Sequence, residues 1–245
     1  MPVLRVEGVD VNFGGVHALH DLTLDVEAGT VTGLIGPNGA GKTTLFNVIC
    51  GLQRPSRGRV LIDGRDVTSM RPHARARLGL ARTFQRLEIF GSMSARDNIL
   101  VAAEIHRGWA RSGRRPAEVA DAIVERVGLS EVASAQADTL PTGLARLVEL
   151  GRALATEPRV LLLDEPSSGL DHSETAALGS LLEELASEGM AVLLVEHDVE
   201  LVMRVCSQVH VLDFGQVIAV GSPAEVQANQ AVQLAYLGAE ADGSA

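Results

Sequence analysis

The chain has 245 residues, of which 46% are hydrophobic, and a formal net charge of −10 at pH 7. This length allows one large domain or a core with a subdomain, and the negative balance argues against a protein that binds nucleic acid. The longest apolar runs, at residues 160–163 and 190–195, are far shorter than the roughly 20 residues that span a bilayer. The first residues also lack the pattern of a signal peptide. We therefore expect a cytosolic chain that meets a membrane only through a partner.

The first third of the sequence predicts β-structure around one helix. Apolar residues follow the alternating or continuous patterns of strands in four stretches, at residues 3–13, 19–27, 31–36 and 58–64. Between the last two, residues 41–52 have the pattern of a helix. Pro55 and Gly58 would separate this helix from the strand that follows.

The middle of the chain, from about residue 92 to 156, is helical in pattern. Apolar residues recur at helical spacing in three stretches, at residues 95–106, 116–128 and 140–154. The last of these has a crowded first turn, with Pro141 and Gly143. Proline fits there because its missing N–H would find no partner within the helix. This turn is either a simple cap or a helix start whose free N–H groups await an anion, and the pattern leaves both open.

After Pro158 the sequence alternates between apolar strands and helices. Strand patterns cover 159–165 and 190–198, and helix patterns cover 172–189 and 199–206. A hairpin at 209–221 and a last helix that opens at Ser222 and Pro223 complete the chain. Apolar strands separated by helices indicate a parallel sheet. The predicted fold class is therefore α/β, with a parallel-sheet core, an N-terminal antiparallel β region and an inserted helical subdomain.

The sequence GPNGAGKTT follows a strand and opens a helix, which is the context of a phosphate-binding P-loop. Its glycines allow the backbone to wrap an anion, and its amides can point at phosphate oxygens. Lys42 would bridge the β- and γ-phosphates, and the Thr43 hydroxyl would bind Mg²⁺. A glycine-rich turn without a ligand is the alternative, but the register of strand, lysine and helix argues against it. The predicted nucleotide-binding residues are Gly36, Pro37, Asn38, Gly39, Ala40, Gly41, Lys42, Thr43 and Thr44.

Two apolar strands end in residues that suit catalysis at this site. Asp164 and Glu165 follow the first, where α/β proteins bind ligands. Asp164 would be the acid on the magnesium side, and Glu165 could act as general base on the attacking water. Alone, the pair could mark a strand exit, but beside a P-loop it indicates catalysis. His197 ends the next strand at the same edge; a structural hydrogen bond is the alternative to a role at the phosphates.

Other features of the composition point to structure rather than chemistry. Cys50 and Cys206 fall in apolar helical patterns, which favours reduced core thiols over a disulfide or a metal site. The basic runs at 71–86 and 107–115 are interpreted as solvated surface in preference to a partner-docking face. The acidic end at 238–245 is expected to be frayed. Gln85, at the start of the helical insertion, is uninformative by itself.

Taken in order, GPNGAGKTT, ARTFQ, LPTGLARLVELGRAL, LLLDEPSSGLD and VEHD resemble the ATP-binding subunit of ABC transporters over nearly the whole chain. LARTFQ with IFGSMSARDNILVA, and the ending VQLAYLG, are similar to the branched-chain amino-acid and amide uptake subfamily. We therefore expect a P-loop ATPase core at 1–91 and 157–221, a helical signature subdomain at 92–156, and a C-terminal helix and tail at 222–245.

The resemblance implies ATP and Mg²⁺ as cofactors and gives roles to single residues. Phe13 would stack on the adenine base. Gln85 would reach the magnesium and the attacking water, and would report the nucleotide state to a membrane subunit. Glu165 would be the base and His197 the switch at the γ-phosphate. Asp171 would lie at a dimer interface.

Members of this family work as head-to-tail pairs, in which each ATP lies between one P-loop and the partner's signature helix. The signature position, where LSGGQ or LSYGQ is common, is held here by Leu140, Pro141, Thr142, Gly143 and Leu144. Pro141 replaces the serine that meets the γ-phosphate, Leu144 replaces the glutamine, and Gly143 keeps its type. Loss of one preorganised donor costs about 2.7–4 kcal/mol in the transition state. Either the composite site is slow, or the backbone amides and the helix dipole suffice.

The resemblance further implies the partners. They are a second ATP-binding subunit of the same or a different sequence, integral membrane permease subunits and, indirectly, a solute-binding protein. The expected function is to power uptake of small solutes, such as branched-chain amino acids, from the inner face of the cell membrane. The alternatives are lipid export or another membrane process, and a weakly hydrolysing dimerisation module. We also expect a basic run near the membrane subunit, so that changes at Arg82 and Arg86 would uncouple transport and spare basal ATP hydrolysis.

Overall fold

The computed structural model describes residues 2–110 and 114–235. The strands are β1 (Leu4–Phe13), β2 (Val16–Val26), β3 (Val31–Ile35), β4 (Arg57–Ile62), β5 (Arg65–Asp66), β6 (Leu80–Arg82), β7 (Val160–Asp164), β8 (Ala191–Val195), β9 (Gln208–Asp213) and β10 (Gln216–Gly221). The α-helices are α1 (Lys42–Cys50), α2 (Pro72–Ala76), α3 (Ala95–Arg107), α4 (Pro116–Arg126), α5 (Thr142–Leu154), α6 (His172–Ser187), α7 (Val199–Val205) and α8 (Pro223–Gln227). The strands and helices expected from the sequence are all present near their expected bounds, whereas β5, α2 and β6 were not expected.

The central sheet has the order β10-β9-β3-β8-β7-β6 and is parallel except for β10, which pairs antiparallel with β9. All residues of β7 and β8 are buried, because the antiparallel sheet and α1 cover one face of the central sheet and helices cover the other. The register pairs Asp164 with Val195. The segments that follow β3, β7 and β8 therefore leave the sheet at one edge, and this edge carries the candidate site.

A second sheet, with the order β2-β1-β4-β5, is antiparallel. Its apolar residues pack with α1 and with one face of the central sheet in a common core that includes Leu4, Leu24, Phe46 and Leu162. This confirms the expected antiparallel region at the N-terminal end. Phe13 ends β1 at the margin of the sheet, where it is 49% exposed.

Helices α3, α4 and α5 lie in the chain between the adjacent strands β6 and β7. They pack on each other through Ile99, Val124 and Val148, and this apolar cluster continues into the other face of the central sheet. Gly151 lets α3 and α5 approach, since a Cβ there would lie 2.7 Å from Cδ1 of Ile99. This arrangement supports the division into a core at 1–91 and 157–221 with a helical insertion at 92–156, which stays a proposal.

The basic run at 71–86 is only in part the solvated surface that the sequence predicts: Arg71, Arg77 and Arg86 are exposed, whereas the side chains of Arg75 and Arg82 are not. Arg75 is 1% exposed, and its guanidinium donates to the carbonyls of Val48 and Ile49 at the end of α1, both at 2.7 Å. The Arg82 side chain is also buried, at 6% exposed. The sequence pattern of an arginine in a short run without apolar periodicity predicts a surface position. Here the guanidinium groups of Arg75 and Arg82 instead donate hydrogen bonds to carbonyls and to a carboxylate of distant segments.

Cys50 is half-buried and Cys206 is buried, and both are free thiols. Among the described residues, no helix combines the length and apolar character that crossing a membrane requires. The end of the chain at 238–245 and residues 111–113 of the second basic run lie outside the described residues.

Gly58, at the start of β4, is a sensitive point of the antiparallel sheet. Its φ is +82°, and a Cβ would lie 2.3 Å from the carbonyl oxygen of Gly8. We expect Gly58→Ala to lower the free energy of unfolding by about 2–5 kcal/mol, from left-handed backbone plus overpacking. Gly64→Ala is the matched control, since Gly64 has φ +73° and open space around it; it should cost only about 1–2 kcal/mol. Equal losses in urea unfolding would contradict the packing argument.

Candidate nucleotide-binding and catalytic site

The loop between β3 and α1 owes its shape to glycines in crowded surroundings. Gly36 has φ +152°, and a Cβ there would lie 2.0 Å from the carbonyl oxygen of Leu212. Gly41 has φ +109°, and its Cβ would lie 2.7 Å from the carbonyl oxygen of Ala18. Backbone carbonyls cannot move aside as a flexible side chain can. The loop is therefore fixed between β9 and β2 in a conformation that only glycine permits at these positions.

The carbonyls of the loop bind the charged side chain of Lys42, and the loop leads into α1, whose first turn has no side-chain cap. Lys42 is 8% exposed, and its Nζ donates to the carbonyls of Gly36 at 2.5 Å and Pro37 at 2.9 Å. Burial lowers the pKa of Lys42, while the charges of Glu165 and Asp164 oppose that shift. The first turn of α1 contains no acidic residue and no side-chain cap. Its N–H groups and the lysine charge together suit a phosphate group.

Asp164, the last residue of β7, is buried at 3% exposed and is held from two sides. Its backbone N–H donates to Oγ1 of Thr83 at 3.2 Å. Its Oδ2 accepts from Nη2 of Arg82, also at 3.2 Å. Burial raises the pKa of Asp164, and the Arg82 charge and hydrogen bond act in the opposite direction. The carboxylate lies at the sheet edge where the sequence predicted it.

Glu165 turns out of the sheet in a left-handed backbone conformation, with φ +51°. Its N–H donates to the carbonyl of Val195 at 2.9 Å, which fixes the turn against the end of β8. Its Oε1 lies 3.1 Å from Nε2 of His197. A non-glycine residue with positive φ is uncommon and often occurs at functional sites. The structure thus brings together the two residues that the sequence predicted as base and switch.

The carboxylate of Glu196, between Val195 and His197, is part of the site although the sequence analysis did not single it out. It is 5% exposed. Its Oε1 accepts from the N–H of Ser167 at 2.8 Å, and its Oε2 accepts from the N–H of His197 at 3.0 Å. One buried side chain thereby joins the loops that follow β7 and β8. The available signal was an acidic residue directly after an apolar strand, as for Asp164.

The segment that contains Gln85 is bound to helix α5. Arg146 donates to the carbonyls of Phe84 at 2.7 Å and Gln85 at 2.6 Å. The N–H of Phe84 donates to Oε1 of Glu149 at 3.0 Å. Burial raises the pKa of Glu149, and the bond from Phe84 opposes that shift. Arg146 and Glu149 were not predicted, and their only signal was charge placed three residues apart in an otherwise apolar helical pattern.

The start of α5 packs against its own chain through Gly143. A Cβ there would lie 2.6 Å from the carbonyl oxygen of Gly169, and Leu140, Leu144 and Leu170 pack half-buried against the core. Pro141 and Thr142 are exposed, and no side chain caps the helix. Within the described residues, no hydrogen bond joins 140–144 to the P-loop of the same chain. Pro141 and Thr142 thus lie at the surface, whereas Gly143 is buried against Gly169 of the same chain.

Asp171 has a structural partner in its own chain. It caps α6, where its Oδ1 accepts from the N–H of Glu174 at 2.8 Å and the Glu174 side chain accepts in return from the N–H of Asp171. The hydrogen bond from the N–H of Glu174, and after it the one from the Ser173 hydroxyl, lower the pKa of Asp171. Its role at a dimer interface stays a prediction.

A P-loop between a buried parallel strand and a helix, with carboxylates at the ends of the neighbouring strands, defines a P-loop nucleotide hydrolase. The helical insertion before β7 is a further feature by which a family can be identified within the P-loop nucleotide hydrolases. The model of the family described as ABC transporter matches residues 19–168. A second model, described as branched-chain amino acid ATP-binding cassette transporter, matches residues 216–242.

Individual relatives agree with these matches. The chain is 40% identical over 250 residues to the high-affinity branched-chain amino acid transport ATP-binding protein BraF of Pseudomonas aeruginosa, covering 97% of this chain and 98% of that protein. It is 33% identical over 238 residues to the lipopolysaccharide export system ATP-binding protein LptB of Haemophilus influenzae, with the same coverage of 97% and 98%. A crystal structure of a nucleotide-free ATP-binding cassette from an ABC transporter superimposes with a TM-score of 0.87, at 31% identity, over 96% of this chain and 99% of the other. The chain belongs to the ABC transporter family as an ATP-binding subunit, and its activity is ATP hydrolysis.

The role that the sequence predicts for Glu165, as the general base, can be tested by kinetics. Glu165→Gln removes the base and leaves the P-loop unchanged, so we expect the rate of ATP hydrolysis to fall about 10²- to 10⁴-fold while ATP affinity is retained. Glu183→Gln is the control, because Glu183 is an exposed acid on α6 that pairs with Arg204. A variant at Glu165 that hydrolyses ATP as fast as the control would exclude Glu165 as the base.

Proposed function

We propose that the chain powers the uptake of small solutes, with branched-chain amino acids as the expected cargo, through separate membrane subunits. The observation that carries this proposal is the match of residues 216–242 to the model for branched-chain amino acid cassettes. The name and the 40% identity of BraF agree with it. The likeness to LptB, at 33% identity, favours lipid export as the second candidate. Co-purification of the tagged chain with its membrane subunits would separate the two candidates.

The described residues fit a nucleotide with a magnesium ion. The Asp164 carboxylate and the Thr43 hydroxyl are hard oxygen donors of the kind that Mg²⁺ prefers, and they belong to the end of β7 and to the first turn of α1, which border the site. A bound Mg²⁺ would neutralise part of the charge on the phosphate oxygens. Lys42 and the N–H groups of α1 would hold the β- and γ-phosphates, and Phe13 would stack on the adenine base.

Hydrolysis in this proposal begins when Glu165 accepts the proton of the attacking water. His197 lies 3.1 Å from Glu165 and would orient the carboxylate and contact the γ-phosphate. Gln85 would reach the magnesium ion and the attacking water; its backbone is held by Arg146, and the residue is exposed. Glu196 keeps the loops of Glu165 and His197 at a fixed separation.

The second half of the working site would come from a second ATP-binding subunit. The exposed start of α5 would meet the ATP of this partner, and Asp171 would lie near the shared interface. Gly143 is buried against the carbonyl of Gly169 in its own chain, and Pro141 provides no hydroxyl. A chain held in this way between ATPase partner and permease would act at the inner face of the membrane, with a solute-binding protein delivering cargo on the other side.

A groove beside Gln85 is the proposed docking site of the membrane subunit. It has a volume of about 410 Å³ and lies between α1, α2 and β6 on one side and α3 and α5 on the other. Exposed apolar side chains line it, namely Leu52, Phe84, Phe90 and Ile105, at 56%, 38%, 45% and 53% exposed. Apolar surface of this kind beside polar groups suits an apolar anchor from a partner.

Arg82 does not fit the expectation that changes at Arg82 and Arg86 would uncouple transport and spare basal ATP hydrolysis. It is bound to Asp164, so changing it would disturb the ATP site itself, and basal hydrolysis would not be spared. Arg86 is exposed and remains a candidate for contact with the membrane subunit.

The groove can be tested by placing a charge in it. Ile105→Glu should leave the ATPase activity of the isolated chain unchanged and reduce transport by the reconstituted complex more than tenfold, as expected for a buried interface anchor. Val220→Glu is the control, because Val220 is similarly exposed, at 50%, and lies on β10 outside the groove. Equal transport by the two variants would exclude this groove as the docking site.

The proposed pairing can be tested by light scattering on Glu165→Gln. Without hydrolysis, a closed dimer should accumulate, and we expect the mass to double when ATP is added. A variant that binds ATP and stays monomeric would show that this signature does not support self-pairing, and a second, different subunit would be required. Adding Pro141→Ser to the first change should then strengthen the dimer, because a donor to the γ-phosphate is restored.

A further inference from the structure

Arg82 uses all of its nitrogen atoms inside the protein. Its Nη1 donates to Oδ1 of Asn47 at 2.7 Å, its Nη2 to Oδ2 of Asp164 at 3.2 Å, and its Nε to the carbonyl of Thr83 at 3.2 Å. The side chain of Arg82 is 6% exposed and that of Asp164 is 4% exposed. A buried, charge-assisted contact of this kind fixes both partners in one geometry.

Two aromatic rings pack against the guanidinium of Arg82. Its central carbon lies 5.2 Å from the ring centre of Phe46 and 4.8 Å from that of Phe84. A planar guanidinium can stack on rings and donate from its edge at the same time, which an ammonium cannot do. The position therefore requires arginine, and not merely a positive charge.

The contacts of Arg82 connect three parts of the ATP site. Asn47 and Phe46 belong to α1, the helix that Lys42 begins. Asp164 ends β7, and Phe84 immediately precedes Gln85. Arg82 and Phe84 also line the groove beside Gln85. An occupant of that groove would thus contact the same side chains that hold Asp164.

Arg75 shows that burial of an arginine against α1 does not by itself create such a link. It is even less exposed than Arg82, and its nitrogens end on the backbone carbonyls of Val48, Ile49, Met70 and Thr68. These bonds satisfy the end of a helix and stabilise the fold. Two nitrogens of Arg82, Nη1 and Nη2, end instead on the side chains of Asn47 and Asp164.

We propose that Arg82 is a positioning residue that holds the Asp164 carboxylate in the orientation needed for magnesium and ties it to Asn47 on the P-loop helix. Groups that orient a metal ligand typically affect metal affinity 10- to 100-fold when they are removed. The proposal rests on the magnesium role given above to Asp164. It predicts a defect in the response to Mg²⁺ and not in the binding of ATP as such.

The experiment compares the affinity for a fluorescent ATP analogue in EDTA with that in Mg²⁺. The variant Arg82→Met keeps an unbranched apolar side chain between the rings and removes the donors. We expect its affinity in EDTA to match the wild type, while the gain in affinity on adding Mg²⁺ falls about tenfold or more. Arg82→Lys should recover part of the gain because it keeps the charge beside Asp164, but not all of it, because the fork is lost.

Two further variants separate the possible outcomes. Arg75→Met should keep the full gain from Mg²⁺ even if its melting temperature falls, because Arg75 contacts only backbone. Asp164→Asn should lose the gain. If Asp164→Asn keeps the gain, or the wild type has none, the magnesium role of Asp164 is wrong. If Asp164→Asn loses the gain and Arg82→Met keeps it, or if Arg82→Met weakens binding equally in EDTA and Mg²⁺, the positioning role of Arg82 is wrong.

Discussion

The candidate site depends on the parallel pairing of β3, β8 and β7. This pairing brings the ends of three strands, far apart in the sequence, to one edge of the sheet. Because Asp164 is paired with Val195, the chain leaves both strands at the same level. The N–H of Glu165 then meets the carbonyl of Val195, and the 3.1 Å contact between Glu165 and His197 follows. A slip of one residue in this register would turn Asp164 to the opposite face of the sheet.

The residues of the site that the sequence predicts share a local signal. Gly36, Lys42, Asp164, Glu165 and His197 all follow directly on an apolar strand or open the next helix. The spacing of the apolar residues and the points where strands and helices begin and end are sufficient to place such residues at the sheet edge. The same reasoning gives the α/β fold and the helical insertion, because those elements are long and strongly periodic.

The residues that the sequence does not predict have partners far along the chain. Arg82 meets Asp164 across 82 positions, and Arg146 meets Phe84 across 62. In the sequence, Arg82 stands in a basic run that has the pattern of a surface, and β6 has only three residues. No local pattern records that a carboxylate, an amide and two rings will gather around it. Glu149 is hidden in the same way, since an acid in a helix is most often solvated.

Energetics bears on why a buried pair such as Arg82 and Asp164 is present. Breaking such a pair by removing one partner costs about 3–5 kcal/mol, yet replacing both partners with apolar residues is often neutral or stabilising. Stability alone therefore does not account for two charges in this part of the core. A carboxylate at the end of β7 is accounted for by the chemistry of the site. In our proposal Arg82 offsets the free-energy cost of burying the Asp164 carboxylate and fixes the orientation of that carboxylate.

The unusual signature separates what the fold requires from what a partner requires. Gly143 meets the carbonyl of Gly169 in its own chain, so a side chain there would disrupt the start of α5. Pro141 and Thr142 are exposed, and the fold places little constraint on them beyond a helix start, which proline suits. The sequence thus keeps the family glycine where a side chain would clash with Gly169, and it departs from the family pattern at the exposed Pro141 and Thr142 and at the half-buried Leu144. This distribution indicates that the departure changes the donors offered to the ATP of a partner, while the chain's own P-loop, Glu165 and His197 stay complete. In a pair with a second, different ATP-binding subunit, the two composite sites would therefore differ in rate without any difference in fold.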